Sequence, residues 1–210
     1  MEQKKKTLTE SDGKYTWDRF EKLVLARGRS DEAAGMYCID PMGVQVSRRY
    51  VKGQKPEHIP ISSYPDFFGS FDDGRGFVFD AKTCSGASWP LNEDKLKKRQ
   101  YDFMIKRAMF GEVCGILLHF NPRILKTKIT DPSTWWIPVF YSHPIWKDYD
   151  SGLKRNITLG DCQMYGISVE WNLRSKGARV PTPDIGAVFS VLRRSSSKRV
   201  RNHLLSPTAR

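Results

Sequence analysis

Apolar and polar positions alternate most clearly in Phe77-Val78-Phe79-Asp80-Ala81-Lys82. A period of two predicts a strand with Val78, Asp80 and Lys82 on one face and Phe77, Phe79 and Ala81 on the other. Asp66 to Phe71 predicts its hairpin partner, joined through the turn residues Asp72-Asp73-Gly74-Arg75. The unbroken apolar run Gly115 to Phe120 predicts a central strand, and Trp135 to Phe140 a further strand. Spacings of three and four predict a helix over Trp17 to Ala26 with Thr16 as cap, placing Trp17, Glu21, Val24 and Leu25 on one side. A second helix is expected from Glu93 to Phe110, capped by Asn92 and stopped by Gly111, with Leu96, Gln100, Phe103, Met104 and Arg107 in one stripe. Helix, strands, helix, strand is the order of an α/β fold, here a central mixed β-sheet flanked by helices.

Two polar residues interrupt these apolar stripes. Glu21 either sits at the stripe edge and reaches water or turns toward a partner. Gln100 either satisfies a backbone group at the sheet or reaches the strand of Asp80. Tyr37 to Tyr50 is strand-like but broken at Asp40-Pro41-Met42-Gly43. The stretch that follows carries Arg48, Arg49, Lys52 and Lys55, and is read as a projecting basic arm or hairpin. Residues 1–14 are polar and charged and are expected to form a disordered tail. Residues 15–192 form one domain, and 193–210 a basic, disordered C-terminal tail with six Lys and Arg and no acid.

Charge narrows the partner. Thirty-five Lys and Arg against 23 Asp and Glu leave a net +12, which favours a polyanion, most simply nucleic acid. The expected phosphate contacts are Arg48, Arg49, Lys52 and Lys55 on the arm and Arg193, Arg194, Lys198, Arg199 and Arg201 on the tail. Four scattered cysteines lack the paired spacing of a zinc site. No apolar run approaches a membrane span, and the polar start lacks the apolar core of a secretory leader. The expectation is a reduced, cytoplasmic protein with no membrane partner, nucleoid-associated in a bacterial or virus-infected cell.

Asp66 stands fourteen residues before Asp80-Ala81-Lys82. A carboxylate and an ammonium two residues apart on one strand face, beside a second carboxylate from the preceding strand, can hold a hard divalent cation next to a positive charge. Phosphodiester hydrolysis uses such a set. His119 and His143 lie in apolar surroundings and are read as core residues rather than general bases.

In order, the chain carries Glu21 on a first helix, Asp66 before a hairpin, Asp80-Ala81-Lys82 and Trp89-Pro90-Leu91. A helix with Gln100 and the strand Gly115-Ile116-Leu117-Leu118-His119-Phe120 follow. This order resembles the RecU-type Holliday junction resolvases of the PD-(D/E)XK nuclease superfamily, strongly from Ser63 to Phe120 and thinly over the rest of Trp17 to Leu192. Arg155-Asn156-Ile157 and Pro183-Asp184-Ile185 carry the weak C-terminal part of the match. The resemblance implies a restriction-endonuclease-like core and a homodimer that cuts two strands of a four-way DNA junction symmetrically in recombination and repair. Mg²⁺ is the implied cofactor, with Mn²⁺ as a substitute. By position, Asp66, Asp80 and Gln100 match metal-site residues, Lys82 the charge-stabilising lysine and Glu21 the helical acid. The arm from Arg48 to Lys55 falls where the family places a stalk that enters the junction. In the implied reaction water attacks the scissile phosphorus in line, with Lys82 orienting it or neutralising charge. Departures are Asp80 in place of the usual Glu, Tyr64-Pro65 in place of hydroxyl residues before Asp66, Arg99 in place of His, and two extra residues between Leu91 and Gln100. The alternatives are a site-specific or nicking endonuclease of the same fold and a non-catalytic basic DNA-binding protein.

Overall fold

A computed structural model describes residues 13–42, 46–49, 57–60, 64–92, 95–125, 129–172 and 181–193. The sheet begins with β1 (Tyr37–Pro41), β4 (Phe67–Phe71) and β5 (Gly76–Cys84), continues with β7 (Val113–Phe120) and β8 (Ser133–Pro138), and ends with β10 (Ile167–Ser168). These six strands lie in the order β1-β4-β5-β7-β8-β10. The β5–β7 pair is parallel and the other four are antiparallel, so the sheet is mixed as expected.

The parallel step needs a crossover, because strands running the same way cannot be joined by a hairpin. It runs through β6 (Ser88–Pro90) and α2 (Lys98–Met109). The neighbouring β4–β5 step is a tight hairpin in which Gly74 supplies φ +80°, a conformation costly for residues with a Cβ.

Alternation along β5 divides the core in two. Phe77, Phe79 and Ala81 face α1 (Trp17–Ala33) and a C-terminal helix α5 (185–193), with Phe20, Leu23, Val24, Ile185, Val188 and Phe189. On the other side Val78 joins Ile116, Leu118 and Ile137 under α2, α3 (Pro144–Asp150) and α4 (Leu159–Tyr165). The result is three layers, helices on both faces of the sheet. Short pairs complete the architecture: β6 with β9 (Asn156–Thr158), and β11 (Trp171–Asn172) with β12 (Thr182–Pro183). Among the described residues no helix is long and apolar enough to cross a membrane.

Three expectations need correcting. The first helix runs seven residues beyond Ala26, and its buried face is Phe20, Leu23, Val24, Arg27, Gly28 and Asp31 rather than the Trp17 side. Trp17 is 63% exposed, and Glu21 sits at the stripe edge. The helix continues because Arg27 and Asp31, polar in sequence, bury each other, with Arg27 Nε 3.0 and 2.9 Å from the two Asp31 oxygens. At its other end α2 starts at Lys98 rather than Glu93. Asn92 instead closes a turn, accepting from the Lys95 and Leu96 amides.

Candidate active site

Pairing of β4 with β5 sets Phe67 opposite Phe79, which brings Asp66, just before β4, alongside Asp80. The two acids are cross-tied through the backbone. The Asp66 N–H donates to Asp80 Oδ1 (3.2 Å), and the Ala81 N–H donates to Asp66 Oδ2 (2.8 Å). Lys82 follows on the same strand face, with Nζ 3.0 Å from Asp80 Oδ1 and 3.4 Å from Asp66 Oδ2. One ammonium therefore serves two carboxylates. Asp80 has no exposed surface, and its Oδ2 is buried without a hydrogen-bond partner.

Gln100 enters from α2. It is the third residue of the helix, where its Oε1 accepts from the Lys97 N–H (3.3 Å) and helps close the first turn. Its Nε2 donates to the Tyr64 carbonyl (3.0 Å) and lies 3.5 Å from Asp80 Oδ1. Both alternatives read from the sequence hold at once: the amide satisfies a backbone group and reaches Asp80. Reversing the amide would set its nitrogen against the Lys97 N–H and its oxygen against the Tyr64 carbonyl. The nitrogen therefore faces Asp80, and the oxygen faces the start of α2.

Electrostatics sharpen the picture. Burial raises the Asp80 carboxyl well above its ordinary range and the charge of Asp66 adds to this, while Lys82 works against it. Burial pulls Lys82 down, yet Asp80 and Asp66 outweigh it and hold the ammonium above its usual range. Glu21 comes close enough to feel the same charges. Its carboxyl is pushed up to about 7 by burial first, then by Asp66, with Lys82 opposing and Asp18 adding to the rise. Asp66, Asp80, Lys82 and Gln100 thus meet at one place, from the start of β4, β5 and α2, while Glu21 on α1 lies near enough to feel the charges of Asp66 and Lys82. Among the described residues no three of His, Cys, Asp and Glu form a ready metal cluster.

His119 is a core residue. Its Nδ1 lies 2.7 Å from Thr134 Oγ1 and its Nε2 3.1 Å from the Gly13 carbonyl, and burial lowers it to about 4. His143 is likewise buried, Nε2 3.2 Å from the Tyr165 carbonyl. Arg193 is engaged at home: it pairs with Asp72 (2.6 Å) and lies over the Phe71 ring. Arg48 and Arg49 fall on β2 (Val46–Arg49), which pairs with β3 (Glu57–Pro60) as a two-stranded ribbon outside the six-stranded sheet. Lys52, Lys55, Arg194, Lys198, Arg199 and Arg201 lie outside the described residues.

Sequence reasoning missed the second buried charge cluster. Arg27 bridges Asp31 and Asp184 (2.6 Å), Tyr37 Oη donates to Asp31 Oδ2 (2.6 Å), and Asn172 Nδ2 donates to Asp184 Oδ2 (3.0 Å). The i, i+4 pair Arg27 and Asp31 was the available signal. Comparison with known proteins finds no family model and no curated protein that matches the chain.

Proposed function

We propose that the protein is a metal-dependent endonuclease that resolves four-way DNA junctions by paired nicks. One observation carries the chemistry: two backbone-tied carboxylates share one lysine, and one of them keeps a buried oxygen with no partner. A buried, unsatisfied carboxylate oxygen is expensive unless a ligand completes it. Mg²⁺ prefers such oxygens, so the residues fit that ion, and Asp66 and Asp80 would hold it. When bound, the ion would act as Lewis acid toward the scissile phosphate and lower the pKa of attacking water.

This chain's own groups do the rest. Lys82, held protonated between the acids, neutralises negative charge as the phosphorus becomes crowded or orients the incoming water. Gln100 fixes the Asp80 carboxylate from α2, so the acid does not swing on its short side chain. Glu21, neutral or charged near pH 7, is placed to hold or take up a proton at the rim. The junction as substrate is supported by the resemblance and by the net charge of +12. Paired cuts on a two-fold substrate favour a homodimer.

The test is cleavage of a labelled synthetic four-way junction beside linear duplex of the same sequence, in Mg²⁺, for wild type and Asp80→Asn. Paired symmetric nicks in the junction alone, lost in the variant, are expected. Cutting of linear duplex would reassign the protein as a general or site-specific nuclease. Binding without cleavage in either Mg²⁺ or Mn²⁺ would leave a DNA-binding protein.

A further inference from the structure

Trp17 is a large aromatic on the helix of Glu21 that neither core takes in. Of the six tryptophans, Trp89, Trp136 and Trp146 are buried, and Trp135 and Trp171 are half-buried in the cores. Trp17 alone stands out at 63% exposure. Its place is fixed rather than incidental. Just before it, the Tyr15 N–H donates to Asn121 Oδ1 (2.6 Å) and Asn121 Nδ2 donates back to the Tyr15 carbonyl (3.0 Å). This clamp pins the start of α1 at the carboxyl end of β7, beside the end of β5 that carries Lys82. Trp17 lies four residues before Glu21, so the two share one side of the helix a turn apart. Glu21 in turn feels the charges of Asp66 and Lys82. An indole is thus carried at the first position of α1, one turn before the acid that feels the charges of the site.

The aromatic on the other flank is already occupied. Tyr64, whose carbonyl receives Gln100, packs edge-on against Phe103 with ring centroids 5.2 Å apart. Trp17 makes no ring contact among the described residues.

We propose that Trp17 is a base-stacking platform, which takes the face of a nucleobase next to the scissile phosphate. The inference rests on the nuclease reading and adds a recognition element to it. Every base presents a π-face, so such contact is tolerant of sequence. It is available only where bases are unpaired or unstacked, as at a branch point. Trp17 would therefore favour branched DNA over continuous duplex without reading sequence.

Tryptophan emission tests this directly, because three of the other indoles are buried and two half-buried, and Trp17→Leu removes the exposed one. A four-way junction and a linear duplex are titrated in EDTA into wild type, Trp17→Leu and Trp17→Tyr, with gel-shift affinities measured in parallel. Expected are quenching by the junction in wild type and its absence in Trp17→Leu. Junction affinity should fall about five- to a hundredfold in Trp17→Leu, the range of one lost stacking contact. The loss should be smaller for duplex and largely restored by Trp17→Tyr. Equal affinity and unchanged emission in wild type and Trp17→Leu, with junction bound by both, would overturn the platform and leave the nuclease reading standing. An emission change that follows protein concentration without DNA would also overturn it, assigning Trp17 to a contact between copies. Failure of wild type to bind either DNA would sink the nuclease reading itself.

Discussion

Among the described residues two clusters of charge are largely buried, and they are built to opposite ends. In the first, Arg27, Asp31, Tyr37, Asn172 and Asp184 satisfy one another, and each of the four carboxylate oxygens has a donor. In the second, Asp66 and Asp80 share a single ammonium, one oxygen of Asp80 has no donor, and its acid is raised well above the ordinary range. The first is closed and ties α1 to the C-terminal segment. The second is left one donor short, at Asp80 Oδ2. Burial does not distinguish the two clusters; completeness of hydrogen bonding does.

The sharpest way to test that contrast is to damage each cluster in turn. Asp80→Asn should lower junction cleavage by about a thousandfold or more, as loss of a principal electrostatic group does, with the melting temperature little changed. Arg27→Ala should do the reverse. It strands two acids, Asp31 fully buried, and should cost about 3–5 kcal/mol of stability while the folded fraction cleaves normally. Paired melting and cleavage assays separate the two, and a catalytic defect in folded Arg27→Ala would break the comparison.

Lys82 offers a subtler probe. It neutralises the acids in the cation-free protein and would repel an incoming divalent ion. Lys82→Met should therefore bind Mn²⁺ about tenfold tighter by calorimetry at pH 8 while losing cleavage, since a unit charge at about 4 Å is worth kilocalories in a protein interior. Weaker binding would mean the lysine helps to seat the ion. The smallest effect belongs to Glu21. Its carboxyl sits at about 7 in the folded protein against an ordinary 4.5, so the native state holds the proton more tightly between those values. Stability from this group is complete below about pH 4.5 and is lost as pH rises through 7. Glu21→Gln should match wild type in melting temperature near pH 4 and exceed it at pH 8, by on the order of 1 kcal/mol given the partial exposure of Glu21.

The two clusters also differed in how far the sequence revealed them. Asp80 and Lys82 were legible because β5 alternates cleanly, and a nearby hairpin turn fixed where Asp66 must arrive. The closed cluster was not, because Arg27 and Asp184 lie 157 residues apart and polar residues on a helix predict a solvated face. The start of α2 was misplaced for a related reason. Asn92 is a strong capping residue but closes an isolated turn, while the helix is capped at Lys97 through Gln100, a residue the site also uses. The spacing of three and four puts Trp17 in the apolar stripe, and tertiary structure leaves it outside.

The clamp of Tyr15 on Asn121 and the bridge of Arg27 to Asp184 have a consequence for synthesis. The first helix leaves the ribosome long before either partner exists, by 106 residues in one case and 157 in the other. At about 5–20 residues per second, these two ties form only on the order of ten seconds after α1 emerges, although β1 and β5, on which the helix also packs, follow it sooner. The helix that carries Glu21 therefore gains both of its long-range ties only when nearly all of the described chain has emerged. A nascent chain would carry Asp66, Asp80 and Lys82 before the first helix is tied down on both sides, so the last share of stability arrives with the C-terminal segment.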